Sequence, residues 1–550
     1  MKKIILTALL LASAAAAPLL RSEACTNFIV TKGASTDGSI LVSYAADSHQ
    51  LYGALYKYNP LAKAAGMMDI YEWDTGKFMG RIPQAPVTYS TVGNMNEHSL
   101  VIAETTFGGL SQLRDPEAVM DYGSLIYVTL QRAKTAREAI ATIVELANTY
   151  GYASSGESFS IADQNEAWIM ELIGKGPGNK GIVWVARRIP DGYVCAHANQ
   201  ARITQFPKND PENCLYAPDV ISFAREKGLY EGSDEEFSFS DTYCPLDFSG
   251  MRACEARVWS FFRRITDGMD RYLDYAMGYN AANRMPLWVK PTDKISPKEV
   301  FDCMRDHYEG TPLDMTQDVG AGGVGLGYRW RPMSWQVDGK TYINERATAT
   351  QQTGFWFVAQ TRDHVPASMG GILWFGVDDA ATSCLTPIYC SVTDVPECFR
   401  EGNGHMTEYS PTSAFWLFNR VTNFAYMRYD AMSKDIRKVT DQWENDRLEE
   451  VKRIDAEALK VASKPKALKK LLTAYSTSTA DELFDRWSAL DRYLLVKYID
   501  GNVKKEDAGG FKDNGNGRNI PASPDTPGYD QRWKRAVAAD HGKTIIQPEE

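Results

Sequence analysis

Residues 22–47 read SEACTNFIVTKGASTDGSILVSYAAD, and the rest of the chain is organised around the cysteine near their start. Upstream, Lys2 and Lys3 precede an apolar run, IILTALLLASAAAA, and a more polar stretch ending Ser22-Glu23-Ala24. That is the layout of a secretory signal peptide, with small residues at Ser22 and Ala24 in an A-x-A-like cleavage pattern. A cut after Ala17 would leave Pro18 at the junction, which is unfavourable. A cut after Ala24 makes Cys25 the first residue of the mature chain and gives it a free α-amine beside its thiol.

Three readings of Cys25 follow. It is half of a disulfide, as in many exported proteins; it is a lipid-modified cysteine; or it is an N-terminal nucleophile. A lipobox wants an aliphatic residue three positions before the cysteine and a small one two before, where Ser22 and Glu23 stand. A nucleophile needs a base within hydrogen-bond reach, and an N-terminal cysteine carries its own, an amine with an ordinary pKa near about 8. The next residues bear on the choice. TNFIVT is β-rich, residues 32–38 hold turn signals at Gly33 and Asp37-Gly38, and SILVSY resumes the pattern, so a hairpin begins at the cysteine itself. A strand holds its first residue rigidly, which suits catalysis better than a flexible lipid tether.

Further on, residues 93–109 read as a turn and a buried strand, SLVIAETT. Residues 121–150 carry helical periodicity. FSIAD and AWIMELI form two strands around Gln164-Asn165-Glu166, and residues 182–186 and 193–198 form two more around Pro190-Asp191-Gly192. Residues 252–267 and 297–308 read as helices, and 355–360 and 372–377 as late strands. Strands, then helices, then strands point to separate layers rather than regular βαβ units. From residue 413 to about 498 the pattern is helical and charged, a helical hairpin with solvated faces. Residues 503–550, rich in Gly, Asn, Asp and Pro, read as an irregular or mobile tail.

The segments CTNFIVTKGASTDGSILVSYAADS, GNMNEHSLVIAETTFGG, GESFSIADQNEAWIMELIG, RRIPDGYVCAHANQARI and DFSGMRACEARVWSFFRR occur in this order. Together they resemble the bacterial cysteine dipeptidases of the N-terminal nucleophile hydrolases, over roughly the first 430 residues. More distantly the chain is similar to penicillin V acylases and conjugated bile acid hydrolases. The resemblance implies an α+β fold, a four-layer αββα sandwich, over residues 25–412, extended by C-terminal helices over 413–502. It also implies a thioester mechanism in which Cys25 is the nucleophile and its α-amine the base. Asp47 lies where the family has an aspartate that holds the new ammonium group. Asn199, in HANQAR, matches a donor to the oxyanion hole, Thr106 a second position near it, and Arg257, in EARVW, an arginine near the nucleophile. Arg257 or Asp47 is expected to supply a counter-charge to a substrate terminus. Members usually carry an arginine three residues before the aspartate, where this chain has Tyr44. His98 and His197 are read as structural, since this chemistry needs neither.

Composition agrees with an exported globular enzyme of 550 residues, 44% hydrophobic. The formal charge is −10, and loss of the signal, with three cations and one carboxylate, leaves −12. That argues against a nucleic-acid footprint. No later apolar run reaches the roughly 18–20 residues of a transmembrane helix, so the mature protein is expected to be periplasmic or extracellular. The eight cysteines beyond Cys25 include Cys384, Cys390 and Cys398, close enough in sequence for a local bridge. No dense metal-ligand spacing occurs, so neither metal nor cofactor is expected. Gly320, Gly322 and Gly325 satisfy G-x-G-x-x-G but lack the flanking strand and helix of a dinucleotide site. The expected partner is a small peptide, and a homo-oligomer is left open. Two alternatives stand beside the dipeptidase: an N-acyl amide hydrolase of the penicillin or bile-acid type, and a lipid-anchored binding protein.

Overall fold

The computed structural model describes residues 25–60 and 66–548. The segment read as a signal peptide lies outside the described residues. Ten strands and eight helices carry the architecture discussed below. The strands are β1 (Asn27–Val30), β2 (Ile40–Asp47), β3 (Val101–Gly108), β4 (Gly156–Ala162), β5 (Ala167–Gly174), β6 (Ile182–Arg188), β7 (Val194–His197), β8 (Thr353–Thr361), β9 (Gly371–Val377) and β10 (Thr386–Tyr389). The helices are α1 (Tyr122–Arg132), α2 (Ala136–Tyr150), α3 (Ala256–Ile265), α4 (Pro297–Cys303), α5 (Ala414–Ala425), α6 (Tyr429–Leu459), α7 (Pro465–Tyr498) and α8 (Gln531–His541).

One seven-stranded sheet runs Trp288–Val289, β7, β1, β2, β8, β9, β10. An eight-stranded sheet runs Cys214–Tyr216, β6, β5, β4, β3 and then three short strands. Neighbours pair antiparallel throughout. β1 and β2 pack on β3, joining the sheets face to face. α1 and α2 cover the outer face of the second sheet, while α3 and α4 cover the first. The result is the expected αββα sandwich. β1, β2, β4, β5, β8 and β9 are buried along their whole length, as strands covered on both faces must be. Helix starts follow side-chain chemistry: Asp121 accepts from Ser124 N at α1, Thr135 from Glu138 N at α2, and Ser296 with Glu299 closes a capping box at α4.

His197 joins the sheets. Its Nδ1 lies 2.7 Å from Thr105 Oγ1 on β3 and its Nε2 2.7 Å from Ser160 Oγ on β4. Burial, with Arg202 nearby, lowers its pKa to about 3, so it is a neutral link. His98 packs edge-on against Tyr89. Both histidines serve the fold.

α5, α6 and α7 pack against one another, and α6 and α7 reach β10. The tail is more ordered than its composition suggests. A short hairpin joins Glu506–Asp507 to Gly510–Phe511, and Asp530 caps α8 by accepting from Trp533 N. The tail seats on the glycine-rich loop at Val319–Val324. A Cβ on Gly323 would stand 2.4 Å from the Tyr529 ring, so glycine there serves close packing. All nine cysteines are free thiols.

Candidate active site

Strand register brings the site together. β1 is flanked by β7 and β2, with Asn27 opposite His197 and Thr26 opposite Ala45. Continuing both registers places Asn199 opposite Cys25 on one side and Ala46, next to Asp47, on the other. The long sequence gaps between these residues are closed by ladder hydrogen bonds, which fix position far better than loops do.

Cys25 is 6% exposed. Its Sγ lies 3.3 Å from Glu104 Oε1 and 3.7 Å from the Tyr44 hydroxyl. Burial, then the charges of Glu104 and Asp47, push the thiol well above its ordinary pKa. This environment favours the protonated thiol over the thiolate.

Arg257 is the second residue of α3, directly after a π-helical turn at Gly250–Glu255. Its Nε donates to Ala253 O (2.9 Å), Nη1 to Cys25 O (2.7 Å) and Thr26 Oγ1 (2.8 Å), and Nη2 to Ala198 O (3.1 Å) and Asn199 Oδ1 (2.9 Å). A guanidinium has five N–H bonds, and these contacts occupy all of them. Arg257 thus has no donor left for a substrate carboxylate, and that expected role is corrected. It is neither an exposed nor a general core arginine but a clamp between Cys25 and Asn199.

Asn199 adopts φ +62°, a left-handed conformation that asparagine tolerates better than most residues. Its Nδ2 donates to the carbonyl of Thr106 at 2.8 Å. With Arg257 on Oδ1, the plane of the amide and the direction of both N–H bonds are set. Thr106 therefore meets Asn199 through its backbone carbonyl. Its hydroxyl points elsewhere, donating to Glu157 Oε2 at 2.9 Å.

Asp47 is fully buried and accepts from Arg346 Nη2 (2.6 Å) and Thr353 Oγ1 (2.6 Å). Burial raises its carboxyl above the ordinary range, opposed chiefly by Arg346. Sequence reading missed Arg346, which sits in an irregular segment with no periodicity. Arg346 also borders a cleft with Arg329, Arg331, Gln351 and Gln352, where Arg331 Nε and Nη2 donate to Gln352 Oε1 at 2.9 and 2.6 Å.

Glu104, on β3, was missed as well. It is 1% exposed and accepts from the Tyr44 hydroxyl at 2.5 Å. β3 pairs with β4 so that Glu104 is diagonal to Glu157, and burial raises the Glu104 carboxyl above the ordinary carboxylate range, with Glu157 as the main group opposing that rise. A lone carboxylate inside SLVIAETT was the available signal, since buried acids are rare without a partner.

Elsewhere among the described residues, Asp302, Asp441 and Glu444 converge closely enough to hold a cation. Lys298, Arg305 and Arg437 already bridge them, with Arg305 2.5 Å from Glu444, so this is an ion-pair network tying α4 to α6. An open groove lined by Thr393, Lys466, Lys469, Lys470 and Thr473 lies on α7, apart from Cys25. No helix among the described residues is long and apolar enough to cross a membrane.

A family model described as Peptidase family C69 matches residues 24–442. The chain is 24% identical over 491 residues to a "Probable dipeptidase" of Latilactobacillus sakei, covering 84% of this chain and 94% of that one. It is 23% identical over 386 residues to a "Probable dipeptidase" of Salmonella dublin, covering 66% and 81%. It is also 23% identical over 505 residues to a "Probable dipeptidase B" of Streptococcus pyogenes serotype M1, covering 86% and 93%.

Proposed function

The chain belongs to peptidase family C69, a family of cysteine-type peptidases, and from that premise we propose that it is an exported dipeptidase whose nucleophile is Cys25. The observation that carries this reading is the Arg257 clamp, which joins the backbone of Cys25 to the amide of Asn199 at 2.7 and 2.9 Å. Similarity to relatives named as dipeptidases, over most of their length, supports the substrate class.

While residues precede Cys25, its nitrogen is a peptide nitrogen and cannot accept a proton. Removal of residues 1–24 turns it into an amine. The neutral amine takes the thiol proton, and the sulfur attacks the carbonyl carbon of the scissile bond. An Asn199 N–H donates to the oxyanion, an interaction worth roughly 3–4 kcal/mol in the transition state. The ammonium then protonates the leaving amino group as the C–N bond breaks, leaving a thioester on Cys25. Water, deprotonated by the same amine, attacks the thioester and releases the acid and the thiol. Asp47 holds and polarises the ammonium form, and Arg346 opposes the rise that burial causes in the Asp47 pKa.

A single assay tests the substrate class: a free dipeptide, its N-acetyl form, penicillin V and glycocholate at equal concentration. The highest kcat/KM is expected for the free dipeptide. The highest value for either acyl amide would move the assignment to the N-acyl amide hydrolases. The buried Glu104 beside Cys25 favours the dipeptide reading, because a substrate ammonium would give this carboxyl a cationic partner that an uncharged acyl group does not.

A further inference from the structure

A dipeptidase must recognise a charged α-ammonium next to the bond it cuts, and neither residue expected to serve has capacity to spare. Arg257 carries the wrong sign and is fully engaged. Asp47 accepts from Arg346 and Thr353 and, in the mechanism above, is committed to the enzyme's own α-ammonium. We propose that Glu104, backed by Glu157, is the receptor for the α-ammonium of the substrate, and that this carboxylate makes the site select peptides with a free N-terminus. The inference rests on the dipeptidase reading above.

Distance is the first argument. In a dipeptide the ammonium nitrogen is two bonds from the scissile carbonyl carbon, about 2.5 Å away. A nucleophile poised for attack sits roughly 3–3.5 Å from that carbon. The ammonium must therefore lie within a few ångströms of Cys25 Sγ. Glu104 Oε1 is 3.3 Å from that sulfur, which puts the zone within a charge-assisted hydrogen bond of about 2.7–2.9 Å.

Charge is the second. Burial is the main influence on Glu104 and raises its pKa; its Oε1 is met by the Tyr44 hydroxyl and the Cys25 thiol, and the next groups, Glu157 and Asp74, are acids rather than cations. Asp74 accepts from the Tyr122 hydroxyl at 2.7 Å on the same side of the site. The arginines lie on the other side, with Arg257 on Cys25 O and Arg346 on Asp47. A buried carboxyl among acids and phenols is stabilised by whatever cation reaches it, and a substrate ammonium arrives with each turnover.

Tyr44 completes the arrangement. The phenol donates to Glu104 Oε1 at 2.5 Å and orients the carboxylate without neutralising it. An arginine in its place would form an ion pair with Glu104 and compete with the substrate.

The test uses mature wild-type enzyme and Glu104→Gln, each with alanyl-alanine and with propionyl-alanine, which differs only in lacking the amino group. Wild type is expected to prefer the dipeptide. Because Glu104 also touches the Cys25 sulfur, the readout is the ratio between substrates: Glu104→Gln should lower kcat/KM on the dipeptide about 10-fold or more beyond any loss on propionyl-alanine, with the excess mainly in KM. Equal losses on both substrates would overturn the proposal and assign Glu104 to the nucleophile or the enzyme's own α-amine. Wild type preferring propionyl-alanine would overturn the dipeptidase reading itself, a different signature. Should Glu104→Gln fail to fold, Glu157→Gln is read the same way, with a smaller loss confined to the dipeptide supporting the proposal and equal losses overturning it.

Discussion

The guanidinium of Arg257 donates to the carbonyl of Cys25 at 2.7 Å and, from its other terminal nitrogen, to Asn199 Oδ1 at 2.9 Å. One planar group thus sets the spacing between Cys25, the proposed nucleophile, and the amide of Asn199, the proposed oxyanion donor. Lysine keeps the charge but cannot span both sites. Arg257→Lys is therefore expected to lower kcat by about a hundredfold with KM within about 3-fold of wild type. Steady-state kinetics check this, and a fall in KM-dependent binding without loss of kcat would contradict it.

Asn199→Ala removes the proposed oxyanion donor. A group used mainly in the transition state should cost about a hundredfold or more in kcat and little in KM. Activity equal to wild type on a free dipeptide would take Asn199 out of the mechanism.

The fold and the centre of the site were legible at different levels. The hairpin that starts at Cys25 was readable from β-rich runs around Asp37-Gly38, and β1 and β2 form there. Asn199 was reachable only through a family likeness, because its position opposite Cys25 depends on β7 pairing with β1. Glu104 looked like one more strand residue, since its meaning comes from a strand of the other sheet facing Cys25 and Tyr44. Arg346 had no local signal. It is 299 residues from its partner Asp47, and only tertiary packing joins them.

That pairing has a pH signature. Asp47 already titrates above the ordinary carboxylate range because it is buried, and Arg346 is the main force pulling it down. Arg346→Met should leave Asp47 protonated to higher pH and move the acidic limb of the kcat/KM profile upward by about one unit or more. An unmoved acidic limb would show that ionisation of Asp47 does not control activity.

Stability should carry a separate pH dependence at Asp378. Burial, then the neighbouring Asp379, raise its pKa from 3.8 to about 8. The folded state therefore holds the proton more tightly than the unfolded chain. Its contribution is fully present below the unfolded value of 3.8 and is lost as pH rises through about 8. Asp378→Asn should lessen the fall in Tm between pH 4 and 9, with the largest gain over wild type at the alkaline end. Parallel Tm–pH curves for the two proteins would contradict this.

The central claim is that Cys25 attacks as the first residue of the mature chain. Intact-protein and peptide mass spectrometry of active enzyme, acid-quenched during turnover of a slow dipeptide ester or amide, tests it most directly. The account predicts a chain beginning at unmodified Cys25, with a mass increase equal to the acyl half of the substrate on that residue alone. Full activity in a chain that retains residues before Cys25, a lipid-modified Cys25, or an acyl group on any other residue would contradict it.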